Sequence, residues 1–240
     1  MADFRTHMLT STAVGALYSF AGYQSGVPIP TCLVAGGLCS VSGMLPDLDS
    51  DSGRPLREAT TLAAAVVPML MVERFQRLGW GHETMVLAAG VLYLFIRFGL
   101  TEIFRRFTVH RGMWHSIPAA LVVGMVAFLI MGNQDIAIRL FKTIAVVLGF
   151  LSHLVLDEIW SIDFRRGQYQ FKSSFGTALK LWSNDRWANV TTYLKLIGLA
   201  VLVYQDEGFM SRFGTHDPNV PHTARDLFQL LVDSGSQWVR

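Results

Sequence analysis

Residues 138–158 read I-R-L-F-K-T-I-A-V-V-L-G-F-L-S-H-L-V-L-D-E. From Ile138 to Leu156 only Arg139, Lys142 and His153 can carry charge, and the run is about as long as a membrane-crossing helix requires. Its end is unusual. His153 and Asp157 stand four residues apart, so a helix presents both on one face, about one turn apart. Ionisable groups in such a place either pair with each other or serve a function. A continuous apolar helix that ends in an imidazole and a carboxylate therefore sets two expectations: a membrane bundle, and a polar site at one end of it.

Working outward, similar runs occupy His7–Tyr23, Thr31–Leu45, Thr60–Val72, Thr84–Leu100, Ile117–Met131 and Thr191–Tyr204. With Ile138–Leu156 they predict an all-α, polytopic membrane bundle of about six to eight spans, several of them shorter than a full crossing. Composition agrees: 51% of the 240 residues are hydrophobic, 16% are charged, and mean hydropathy is +0.37. Soluble domains carry about 25% charged residues, so disorder and an ordinary soluble enzyme are excluded. The formal charge of +2, with no basic block, gives no reason to expect nucleic-acid binding. The opening segment is basic and then apolar but lacks a clear cleavage site, and it reads as a first membrane helix.

The predicted organisation is a membrane-embedded domain over residues 1–204, with an extramembrane insert at 158–190, followed by a tail at 205–240. In that tail Thr223–Val232 reads as a short amphipathic helix. Small residues crowd the first two spans (Ala13, Gly15, Ala16 and Gly22, then Ala35, Gly36, Gly37 and Gly43), which predicts close packing between them. Cys32 and Cys39 lie too far apart along one helix for a disulfide and read as small core residues.

Alternating the loops puts eleven Lys and Arg on the N-terminal side and seven on the other. The excess places the N-terminus on the cytoplasmic side of the membrane. The same alternation puts His7, Asp47, Asp49, His110, His115, His153 and Asp157 on that cytoplasmic side, although none of them was used to orient the chain. His110 and His115 are wrongly spaced for one helical face. They fit a turn leading into a helix, with Ser116 as N-cap and Pro118 in the first turn. Asp47 and Asp49 follow Pro46, and in an extended segment they would point the same way. D-L-D-S-D-S-G resembles the start of a calcium loop, but Gly53 comes one place late and Pro55 interrupts it. Asp51 reads as a solvated loop residue.

Imidazoles and carboxylates without thiolates suit a divalent transition metal, Zn first and Mn, Fe or Ni as alternatives. Seven candidates exceed what one closed site needs, which predicts one or two ions with a position open to water. Arg111 is the candidate for gripping a phosphate. Arg111, Asp49 and His115 are the candidate catalytic groups.

L-P-D-L-D (Leu45–Asp49), H-R-G-M-W-H-S (His110–Ser116) and S-H-L-V-L-D (Ser152–Asp157), with the early His7, resemble the YdjM-like family over roughly His7 to Asp157. Met113 and Trp114 replace the Phe-Thr usual in its second motif. The resemblance implies an inner-membrane protein of a family described as LexA-binding and as metal-dependent hydrolases, with distant similarity to the all-α, zinc-dependent phospholipase C. On this reading the chain hydrolyses a phosphoester, and a site opening at the membrane surface suits a lipid-linked one. Two other readings use the same residues. A transporter or metal carrier would add Arg97 and Lys195, but the far side offers little beyond Glu73, His82 and Glu83. A non-catalytic scaffold would use a metal only to staple helices. In the insert, aromatics (Phe164, Tyr169, Trp182, Trp187) alternate with Arg165, Lys172, Lys180 and Arg186, a mix suited to lipid headgroups or to capping the site.

Overall fold

The computed structural model describes residues 3–49, 54–100, 102, 113–132, 135–165, 168–171, 176 and 178–213. Helices dominate: α1 (Phe4–Gln24), α2 (Ile29–Ser42), α3 (Arg54–Arg77), α4 (His82–Leu94), α5 (Ile117–Ile130), α6 (Ile136–Trp160), α7 (Arg186–Tyr204) and α8 (Glu207–Phe213). A 3-10 turn spans Leu45–Asp49, and a π-helical turn at Phe95–Leu100 extends α4. The seven apolar runs match α1–α7 with small shifts of their ends. The all-α expectation holds, and the insert adds one small element. Within the insert, β1 (Ile162–Arg165) and β2 (Gln168–Phe171) form an antiparallel hairpin pairing Ile162 with Phe171 and Arg165 with Gln168. Alternation of apolar and polar residues there has period two, which suits a strand.

Among the described residues two helices, α6 and α7, are long and apolar enough to cross a membrane. The apolar helices α2 and α5 have 14 residues each, about 21 Å at 1.5 Å per residue, short of a hydrocarbon core about 30 Å thick. No residue of α7 is buried, and Leu194, Ile197 and Leu202 are exposed along it. Its Tyr193 packs on Leu181 and Trp182 of the insert.

The core is built by α1, α2 and α6. The face α2 buries is Cys32, Ala35, Cys39 and Ser42, a helical repeat of small residues. Both cysteines are free and buried, as expected of core residues. A Cβ added at Gly15 would stand 2.6 Å from the Gly36 carbonyl oxygen, so α1 and α2 touch backbone to backbone. Gly149 of α6 is equally tight against the Cys39 carbonyl and the Ser42 hydroxyl. Tyr18 completes the contact by donating to the Phe141 carbonyl at 3.0 Å. Ala119 and Ala120 of α5 pack on Phe150 and Leu154 of α6. This packing brings the start of α1, the end of α2, the start of α5 and the end of α6 together.

Candidate metal centre

Four chain segments meet at that end. Asp3 caps α1, its carboxylate accepting from the Thr6 amide at 2.9 Å, and one turn further His7 turns inward and is buried. Ser116 caps α5 as predicted, accepting from the Ala119 amide at 3.3 Å, with His115 just before it. The Trp114 indole donates to the Leu45 carbonyl at 2.7 Å, which holds His115 against the 3-10 turn that carries Asp47. His153 and Asp157 lie on the buried face of α6 and, as their spacing predicted, adjoin.

The polar atoms face one another across short gaps. Asp47 Oδ1 lies 3.5 Å from His153 Nε2 and 3.9 Å from His115 Nε2. Asp157 Oδ1 lies 3.3 Å from His7 Nε2, and its Oδ2 lies 3.6 Å from His153 Nε2. The rings of His7 and His153 stack, with centroids 3.6 Å apart and planes 11° from parallel, and the His115 ring meets His153 edge-on at 5.9 Å. Two sets, His7–Asp47–His153 and His115–His153–Asp157, place ligand-type atoms within 4.8 Å of one another.

The hydrogen bonds are as informative as the distances. His153 Nδ1 is 2.8 Å from the Gly43 carbonyl oxygen. A carbonyl only accepts, so Nδ1 donates to it and the ring turns Nε2 inward, toward the carboxylates of Asp47 and Asp157. His153 Nε2, His7 Nδ1 and both Asp157 oxygens are buried without a hydrogen bond. Such groups are costly unless something satisfies them. Burial pushes the Asp47 carboxyl up, but the neighbouring imidazoles of His115, His153 and His7 outweigh it, so it stays below the usual carboxylate range.

Five expected residues are thus brought together: His7, Asp47, His115, His153 and Asp157. His110, Arg111 and Asp51 lie outside the described residues, as does the tail helix at Thr223–Val232. The backbone of Asp49 is described but its side chain is not. The extended segment expected at Asp47 and Asp49 is instead a 3-10 turn.

The sequence reading missed a second polar group, at the opposite end of α6. Arg139 is 1% exposed. Its guanidinium spans the Asp206 carboxylate at 2.6 and 3.0 Å, donates to the Phe128 carbonyl at 3.1 Å and lies over the Phe128 ring. Arg74 reaches the same carboxylate at 3.1 Å. Burial pushes Asp206 up, but bonding to Arg139 and the charges of Arg139 and Arg74 hold it below the usual range. The far side thus holds more than Glu73, His82 and Glu83. The signal was Arg139 itself, an arginine within an apolar helix. Between the two ends, the buried residues of α6 are Ala145, Val146, Gly149 and Phe150. Lys195 is exposed on α7, and Arg97 lies over the Phe98 ring.

These features define a class: a helical membrane-associated protein whose helix ends gather imidazoles and carboxylates into one buried cluster. The model of the YdjM inner membrane protein family matches residues 1–205, and the chain belongs to that family. No curated protein and no solved structure matches it.

Proposed function

We propose that this chain is a multi-pass inner-membrane hydrolase whose metal centre lies at the cytoplasmic face and cleaves a phosphoester. The observation that carries this reading is the cluster's unmet hydrogen bonding. His153 Nε2 and both oxygens of Asp157 are buried, face one another and have no hydrogen bond. His7, Asp47, His115, His153 and Asp157 would hold the ion, Zn best suiting the donors and Mn, Fe or Ni being alternatives. One or two ions fit two ligand sets that share His153. A bound divalent ion supplies Lewis acidity and lowers the pKa of water towards about 7.

The chain's own groups have separate tasks. Gly43 holds His153 in the tautomer that turns Nε2 inward. Asp47, half-buried on its 3-10 turn, stays anionic at neutral pH and lies nearest the surface of the cluster. Arg111, four residues before His115, is assigned to bind the phosphate, and Asp49 with His115 to handle protons. Exposed Trp160, Trp182 and Trp187 surround the same end, as side chains at a membrane–water boundary do. That setting favours a lipid-linked substrate.

A carrier is the weaker alternative. The wholly buried residues of α6 between the two polar ends are Ala145, Val146, Gly149 and Phe150, none of which offers an ion a charged side chain. The test is hydrolysis of a panel of soluble and lipid phosphoesters by metal-loaded, detergent-purified protein, beside Asp47→Asn and His153→Asn. Turnover lost in both variants is expected. Metal binding without turnover on any phosphoester would favour the scaffold or carrier reading.

A further inference from the structure

Glu158 follows Asp157 on α6 and turns away from the cluster. Its two carboxylate oxygens accept from the Gly176 amide at 2.5 Å and the Ala178 amide at 3.4 Å. Gly176 has φ +78, the left-handed conformation in which a glycine is favoured. Ala178 is buried, and two residues on the Lys180 carbonyl accepts from the Ile117 amide at 3.3 Å. Ile117 opens α5, two residues after His115. The next carbonyl, that of Leu181, accepts from the Tyr193 hydroxyl at 3.0 Å, and Trp182 stacks on the Tyr193 ring. Residues 178–181 therefore form a strap. One end is bonded beside Asp157, the other beside His115, and α7 backs it.

This arrangement bears on the cluster because its ligands come from separate helices. The geometry of a metal site depends on how well each ligand-bearing end is held, and outer partners commonly change metal affinity by about 10–100-fold. The start of α5 and the end of α6 are joined by side-chain packing inside the bundle and by this strap outside it. The Glu158 carboxylate is well chosen for the task, since a charged acceptor makes stronger bonds to amides than a neutral one.

We propose that Glu158 is a positioning residue: through the strap at 178–181 it fixes His115 relative to His153 and Asp157, and so sets the affinity and geometry of the metal centre. The inference rests on the metal-centre reading. It assigns a role in that centre to the insert, which a sequence comparison of ligand motifs would pass over. In this role Glu158 holds no ion itself and acts through its bonds to Gly176 and Ala178.

The test is Co2+ titration of the detergent-purified full chain, read by its visible d–d absorption, for wild type, Glu158→Ala, Glu158→Gln and His153→Asn. Glu158→Ala is expected to weaken Co2+ binding about tenfold or more and to alter band intensity, which reports coordination geometry. Glu158→Gln keeps one acceptor oxygen and is expected to fall between. Ile117→Pro supplies an independent variant. It deletes the amide bonded to Lys180 at a first helical position, where proline is tolerated, and the same loss of affinity is expected. Amide hydrogen exchange over 178–181 shows whether the strap has been released. Released strap with unchanged affinity and spectrum overturns the inference and leaves the metal centre standing. Wild type that binds Co2+ no better than His153→Asn overturns the metal centre, and the role of Glu158 falls with it.

Discussion

His153 Nδ1 donates to the Gly43 carbonyl oxygen at 2.8 Å, and this one bond decides which nitrogen of the ring faces the cluster. An asparagine at 153 places its amide near Nδ1 and offers nothing at Nε2. His153→Asn is therefore expected to keep the bond to Gly43 while abolishing metal binding. Metal-free thermal unfolding should stay close to wild type, within about 1 kcal/mol, the typical net worth of a hydrogen bond. Added Zn2+ should raise the melting temperature of wild type and leave this variant unmoved. Equal stabilisation of both would show that Nε2 holds no ion.

Gly149 and Gly90 predict opposite outcomes from the same change. A Cβ at Gly149 would overlap the Cys39 carbonyl, which is backbone and cannot step aside. Gly149→Ala should separate α2 from α6 and cost about 1–3 kcal/mol or more, the range for overpacking. Because His153 lies one turn on, metal affinity should fall as well. A Cβ at Gly90, on α4, meets nothing within 4 Å. Gly90→Ala should be neutral or stabilising by up to about 1 kcal/mol, through helix propensity. Thermal unfolding of the two proteins in one detergent checks the pair.

The Arg139–Asp206 pair makes the end of α7 sensitive to acid. Asp206 holds its carboxyl below the usual range when folded. A lowered folded pKa means that its stabilisation is complete above the unfolded value of about 3.9 and is lost as pH falls through the folded value. Wild type should thus lose stability on acidification below about pH 4 more steeply than Asp206→Asn. At neutral pH, Asp206→Ala strands a buried guanidinium, and a loss of about 3–5 kcal/mol is expected. Melting temperatures of the proteins between pH 2.5 and 7 check both statements. Parallel curves would show that Asp206 carries no such load.

Much of this was legible in sequence because apolar runs and helix caps are local signals. The runs marked α1–α7, Ser116 and Pro118 marked the start of α5, and the spacing of His153 and Asp157 alone placed them side by side. Alternating the loops then gathered residues far apart in sequence to one end. What was missed depends on longer-range or weaker signals. The 3-10 turn under Asp47 follows from its packing, with Met44 and Leu48 in a core shared with Leu56 and Ala59. The hairpin at 162–171 is too short to announce itself. Arg139 and Asp206 are 67 residues apart, and no spacing rule links them.

The most direct test of the central claim is elemental analysis of detergent-purified wild type beside His153→Ala and Asp157→Ala. The account predicts near-stoichiometric or higher zinc, manganese, iron or nickel in wild type, lost in both variants. Wild type that retains no transition metal, and that added metal does not stabilise relative to the variants, would contradict it and leave the cluster as charge-paired groups that join helix ends.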